Sequence, residues 1–232
     1  MKGVTMPVIT LLSPKGGVGK TTAALLLAIE LAEGGASVVI IDADPNFPLV
    51  KWAGLPGKPE NIEVVQEVDE DAIIDTIDEA QKRARFVIVD LEGRASARVT
   101  NALLMTHLAI VPMQGSVLDS DQAARAFQSI RRASTAARRD IAFAGVFTRT
   151  PASSRIRSRV SQQIADGVEG AGITTLPTSI AERTVYRSLF AQGGTLAGLE
   201  GTPSASIETA RANAAGFAHD VLEALKAART NA

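Results

Sequence analysis

The run Ser13-Pro14-Lys15-Gly16-Gly17-Val18-Gly19-Lys20-Thr21-Thr22 leaves this chain little choice of architecture. An apolar stretch, Val8 to Leu12, precedes it, and a helical pattern from Ala23 to Ala28 follows. Strand, glycine-rich loop and helix in that order make a phosphate-binding loop. Gly16, Gly17 and Gly19 let the backbone curl so that successive N–H groups, that of Val18 among them, face one anion. The positive end of the helix dipole that begins there adds to the site. Lys20 is expected to reach the β- and γ-phosphates and the Thr21 hydroxyl to bind Mg²⁺, with Thr22 completing the nucleotide-binding run.

The loop departs from the usual pattern at one place. Glycine ordinarily stands five residues before Gly19, where this chain has Pro14, and a second lysine, Lys15, lies just inside the loop. A second cation is not needed to bind a nucleotide in cis. Lys-Gly-Gly-Val-Gly-Lys-Thr-Thr resembles the deviant Walker A motif of the ParA/MinD ATPases. That resemblance implies ATP or ADP with Mg²⁺ as ligands. It also implies an ATP-sandwich homodimer, in which Lys15 crosses to the partner's nucleotide and neutralises charge in trans, as an arginine finger does.

Composition narrows the field. At 232 residues the expectation is one α/β domain over 1–232, and a hydrophobic fraction of 46% suffices for a sizeable core. There is no cysteine, which excludes disulfides and cysteine-held metal or iron–sulfur centres. No apolar run approaches the ~18 residues of a membrane span, and the N-terminus reads as a strand rather than a signal peptide. A cytoplasmic location is expected, with Met6 an alternative start to Met1. The net charge of −1 gives no global sign of a nucleic-acid partner, but it hides a split. Residues 60–79 hold nine acids and no base, whereas 125–159 hold nine arginines and one acid, Asp140. This is either a face for an anionic partner or two solvated helix faces of opposite sign.

Apolar strand candidates recur at 8–12, 37–41, 62–65, 86–89, 108–111, 142–147 and 172–176. Helical patterns lie at 21–33, 70–82, 96–105, 119–138, 154–169, 182–192 and 204–228, and the Gly/Pro segment 54–59 reads as a surface loop. Continuous Val/Ile/Leu strands alternating with helices predict an α/β fold, a mostly parallel doubly wound sheet covered on both faces. Ligands in such sheets bind at the carboxyl ends of the strands.

Three acids sit at those ends. In Asp42-Ala43-Asp44-Pro45, two carboxylates at i and i+2 point to one side of a strand end. One suits the Mg²⁺ hydration shell and the other the attacking water. Resemblance to the family's Asp-x-Asp-Pro switch assigns the water to Asp44 and support of the metal site to Asp42, with Asn46 where relatives often have glutamine. Phe86-Val87-Ile88-Val89-Asp90 is a Walker B pattern, whose Asp90 can hold Mg²⁺ through water. The following Leu91-Glu92-Gly93-Arg94 is not the usual continuation, and no role is assigned to it. Pro112-Met113-Gln114-Gly115-Ser116 is either a strand-to-helix turn or, by resemblance, a segment beside the dimer interface. Thr148 stands where the family usually has an asparagine near the adenine, so no base contact is assigned.

Ile180-Ala181-Glu182-Arg183-Thr184-Val185-Tyr186, with Gly193-Gly194 after it, is similar to small plasmid-partition proteins of the ParF type. The resemblance then covers nearly the whole chain. It implies nonspecific, nucleoid-associated DNA binding through scattered basic residues, with Arg155, Arg157, Arg159, Arg183 and Arg187 the candidates, or else solvated surface. It further implies hydrolysis stimulated by a ParB-like or small centromere-binding protein, segregating plasmid or chromosomal DNA. The last helix has too few bases for a membrane-targeting tail and is expected to pack on the domain. Three rival readings remain: a related ATPase that positions a protein cargo or a DNA-transfer complex, a P-loop metabolic synthetase or kinase, and a non-hydrolysing scaffold that uses nucleotide only to hold its dimer, against which Asp42, Asp44 and Asp90 argue.

Overall fold

In the computed structural model, the structure describes residues 6–94, 96–115, 117–151, 167, 170 and 173–230. The strands are β1 (Val8–Leu11), β2 (Val38–Ala43), β3 (Ile62–Gln66), β4 (Phe86–Leu91), β5 (Leu108–Met113), β6 (Ala142–Thr150) and β7 (Ile180–Ala181). They form one sheet in the order β3-β2-β4-β1-β5-β6-β7, every pair parallel. The described helices are α1 (Lys20–Glu33), α2 (Pro48–Ala53), α3 (Ile73–Arg83), α4 (Ala97–Met105), α5 (Val117–Ala137), α6 (Thr184–Gln192) and α7 (Ser204–Thr230).

Alternation along the strands sends side chains to two separate cores. Ile9, Leu11, Ile40, Ile88 and Ile110 pack under α1, α2, α6 and α7. Val8, Val39, Ile41, Val87 and Val89 pack under α3, α4 and α5. This is the doubly wound sheet that the strand–helix alternation predicts. Helix α1 is buried on nearly all sides, since α7 covers the face that turns away from the sheet. That is why its sequence is apolar all round rather than striped. Leu25, Leu26, Leu27 and Ile29 are each at most 1% exposed, and burial of each contributes about 1.5–3 kcal/mol. The phosphate-binding loop is therefore mounted on the most firmly held helix of the fold. Helix α7 docks through Ala210, Ala214, Phe217, Val221 and Leu225, as its spacing predicts. Among the described residues no helix is long and apolar enough to cross a membrane.

The structure differs from the sequence pattern in two places. Of the expected strand 172–176, the described residues 173–176 make only an isolated bridge, Gly145 to Thr175, and pairing with β6 resumes at Ile180–Ala181. Pro177 has no N–H to continue a ladder, so the chain steps away before returning. Helix α2 has no counterpart in the apolar pattern, because six residues are too few to show a period; it starts on Pro48, whose fixed φ suits a first helical position. The expected helix 154–169, with Arg155, Arg157 and Arg159, lies outside the described residues apart from Gly167.

Loop 54–59 closes against the end of α6. Gly193 has φ 83°, and a Cβ there would lie 2.5 Å from Leu55 Cβ and 2.7 Å from the Pro56 oxygen. Gly35 has the same φ with nothing within 4 Å. Gly193→Ala is thus expected to destabilise the chain by about 2–4 kcal/mol, strain and clash together, against about 1 kcal/mol for Gly35→Ala. Urea unfolding of the two variants checks this; equal losses would remove the close approach as the reason for glycine at 193.

Candidate nucleotide site

The carboxyl ends of β1, β2 and β4 lie side by side, so the loop after β1 meets the acids that end its neighbours. Leu11 is in register with Asp90, and Asp42 is in register with Asp90 on the other side. Sequence-distant Lys20, Thr21, Asp42, Asp44 and Asp90 are thereby brought together. The loop itself turns on Gly17 (φ 69°) and Gly19 (φ 104°), and Gly19 is the N-cap of α1. Lys20 is buried, and its Nζ donates to the carbonyls of Ser13 (3.3 Å) and Lys15 (3.2 Å), drawing the loop around its own ammonium. Burial pushes the Lys20 ammonium below its ordinary pKa, against the opposing pull of Asp90, Asp44 and Glu92.

Thr148, left without a role in the sequence, supports the loop from β6. Its hydroxyl donates to the Val18 carbonyl at 2.6 Å and lies 3.2 Å from the Met113 carbonyl. A Cβ on Gly19 would meet Thr148 at 3.5 Å. Gly93 supports the loop from β4: a Cβ there would lie 3.3 Å from the Gly16 nitrogen. The unusual segment after Asp90 therefore packs directly on the phosphate-binding loop. Lys15 reaches the other side, with its Nζ donating to Gln114 Oε1 at 3.2 Å just past β5. Ser116, two residues on, lies outside the described residues.

The acids have different fates. Both oxygens of Asp42 are engaged: Oδ2 accepts from the amides of Leu49 (2.8 Å) and Val50 (3.0 Å), and Oδ1 from that of Asp44 (3.3 Å). Asp42 thus holds the first turn of α2. Burial raises its pKa, while these amides restrain the rise. Asp44 is half-buried and accepts at Oδ1 from the backbone and side chain of Asn46, at 2.8 and 2.9 Å. Asp90 is fully buried, and neither of its oxygens has a hydrogen-bond partner of good geometry. Burial first, then the nearby Asp42 and Asp44, push its pKa up to about 7, with Thr21 and Lys20 beside it pulling the other way. A dry, unpartnered carboxylate facing a threonine hydroxyl and a lysine is a donor set that fits Mg²⁺ with a nucleotide phosphate.

Arg183 and Arg187 line a small cleft beside the loop, together with Gly19, Thr22, Thr148, Arg149, Glu182 and Tyr186. Arg187 is exposed and pairs with Glu182 at 3.4 Å, while the Arg183 Nε is buried.

The nucleotide binding domain of the CobQ/CobB/MinD/ParA family matches residues 9–187. This chain belongs to that family. It is 38% identical over 224 residues to Protein ParA of Rhizobium radiobacter, covering 95% of this chain and 100% of the relative. It is 28% identical over 197 residues to maintenance of carboxysome distribution protein A of Halothiobacillus neapolitanus, covering 83% and 86%. An ATP complex of a Cyanothece McdA variant shares the fold with a TM-score of 0.73 at 15% identity, covering 94% of this chain and 97% of that one. The protein is a ParA/MinD-type P-loop ATPase with a deviant Walker A loop, and its cofactors are ATP or ADP and Mg²⁺.

The state of Asp90 makes this ATPase pH-sensitive when nothing is bound. The unfolded chain ionises the group near pH 4, the folded chain only near 7, so ionisation opposes folding as pH rises through that window. Asp90→Asn, which carries no charge to bury, is expected to be more stable than wild type at pH 8, by up to about 4 kcal/mol. The gap should shrink steadily between pH 7 and 4.5. Denaturant unfolding of both proteins without nucleotide or Mg²⁺ measures it, and a pH-independent gap would mean that Asp90 is not held in the way described.

Proposed function

We propose that this chain is a partition ATPase of the ParA type, which dimerises on ATP·Mg²⁺, binds nonspecific DNA, and leaves it when a partner protein stimulates hydrolysis. The observation that carries this reading is the end-to-end likeness to Protein ParA, in a chain whose phosphate-binding loop holds Lys15 beside Lys20. In this reading the amides of Gly16 to Thr22 and the Lys20 ammonium hold the nucleotide phosphates. Thr21 and Asp90 hold Mg²⁺, which supplies charge neutralisation at the phosphates when bound. Asp42 contributes its charge to that metal site from a distance while capping α2. Asp44 orients the attacking water. Lys15 exchanges its contact with Gln114 for the nucleotide of the partner subunit.

The energetic logic is that the γ-phosphate's charge is shared between two subunits, so cleaving it weakens the interface that its charge holds. Hydrolysis then times a position rather than making a product. DNA would be held through phosphates, with Arg187 the exposed candidate at the rim of the nucleotide cleft and Arg155, Arg157 and Arg159 the others. A ParB-like or small centromere-binding protein would be the stimulating partner.

A second reading, positioning of a protein cargo by the same chemistry, is favoured by the likeness to the carboxysome distribution protein. DNA binding with and without ATP·Mg²⁺ tests the first reading, with wild type, Lys15→Ala and Asp44→Ala in parallel. Wild-type binding should require ATP and weaken steeply with salt. Lys15→Ala should lose both dimer and DNA binding. Asp44→Ala should keep both while hydrolysis falls about a hundredfold or more. Wild type that dimerises on ATP yet leaves DNA free would abandon DNA as the track, and ATP-dependent DNA binding that survives Lys15→Ala would remove the lysine in trans.

A further inference from the structure

Arg98, in the first turn of helix α4, is charged yet only 8% exposed. Its Nη1 donates to the Ala43 carbonyl at 2.8 Å and lies 3.7 Å from Glu92 Oε1. The two side chains are 9% and 17% exposed. Ala43 separates Asp42 from Asp44, and Glu92 stands two residues beyond Asp90. One guanidinium therefore joins the end of β2 to the end of β4, outside the ladder that already pairs Ala43 with Leu91.

Stability alone does not account for this arrangement. A buried ion pair at 3.7 Å gains little over apolar side chains of the same volume, because both charges lose their hydration. The Arg98 Nε also lacks a hydrogen-bond partner. What such a group supplies is a fixed register between the segments that it touches. Both segments carry site acids. Beyond that ladder and the bond from the Asp44 amide to Asp42, the Asp44 loop is tied by bonds within itself, from Asn46 and Phe47. The Glu92 segment rests on the loop through Gly93, and the charge of Glu92 acts on Lys20.

We propose that Arg98 and Glu92 are positioning residues for ATP hydrolysis: the pair straps the strand end that carries Asp44 to the one that carries Asp90, and seats both against the phosphate-binding loop. This rests on the ATPase reading and deepens it, since it gives a task to the segment after Asp90. Neither residue touches the reacting atoms. The strap acts by keeping the water-orienting acid and the metal-binding acid at a fixed offset, where displacements of an ångström are worth one to two orders of magnitude in rate.

The test uses the full chain and four variants: Glu92→Gln, Arg98→Lys, Arg98→Met and the double variant Glu92→Gln/Arg98→Met. Steady-state ATP hydrolysis, affinity for a fluorescent ADP analogue, and hydrogen exchange over 43–47 and 91–94 are read together. Glu92→Gln, a change at a half-buried side chain that folding tolerates, should lower kcat roughly tenfold with KM within about twofold. Exchange should quicken in both segments. The double variant should be no slower than Arg98→Met alone, because the two residues act as one unit. Arg98→Lys, which keeps the charge but not the fork, should fall between wild type and Arg98→Met. Wild-type kcat and exchange in Glu92→Gln would overturn the proposal, as would losses of ADP affinity that simply track thermal stability. Should wild type bind ATP without hydrolysing it, the ATPase reading fails by itself. Exchange in Glu92→Gln then still decides: quickening in both segments upholds the strap, and quickening in one or neither refutes it.

Discussion

The structure is organised around a carboxylate that has been taken out of water and given nothing to bond. Asp90 ends the strand beside β1, at the centre of the sheet, with Asp42 in register next to it. Two acids in one dry place repel, and burial penalises each. Asp42 offsets its share through three backbone amides. Asp90 has only Thr21 and the ammonium of Lys20 nearby. In the proposed reading, a divalent cation at Asp90 would relieve this state.

The loop, the strand–helix alternation and the acid-ended strands are legible from the residues because each is a local pattern. Gly17 and Gly19 adopt the left-handed conformations that only glycine takes readily. What is not legible is how residues far apart share the work. Asp42 and Asp90 look alike as strand-terminal acids, but one is satisfied by the amides of a helix that begins six residues later, whereas the other has only Thr21 and Lys20 nearby. That helix, α2, is too short to show a period, so the difference was invisible. Thr148 reads as an anomaly against the family pattern, and becomes intelligible only once β6 is seen to lie beside Val18. Nothing in the sequence singles out Arg98, since a helix pattern of nine residues does not reveal which face the neighbouring strand ends will claim. Strand β7 is two residues long and follows a proline, which defeats any pattern based on alternation.

The placement of Arg183 and Arg187 changes how the charge of the chain is read. Basic residues in the tail of the Ile180–Tyr186 run looked like part of a DNA-facing surface. Both border the cleft that opens from Gly19 and Thr22. A phosphate-rich ligand at the loop and a phosphate-rich polymer outside would then meet the same short stretch of chain. In the proposed reading, occupancy of the cleft and orientation of Arg187 are linked through one helix, α6.

Helix α2 has a property of a different kind. Its amino end is fastened to Asp42, and its only indole, that of Trp52, is fully buried and donates to the Gly194 carbonyl at 3.2 Å. Trp52 is the sole tryptophan of the chain. The protein therefore carries one indole chromophore, and it sits on a rod of six residues between the acidic strand end and the glycine pair behind α6. Its emission reports on that rod alone, so light from a single ring reads how tightly the catalytic edge is joined to the back of the domain.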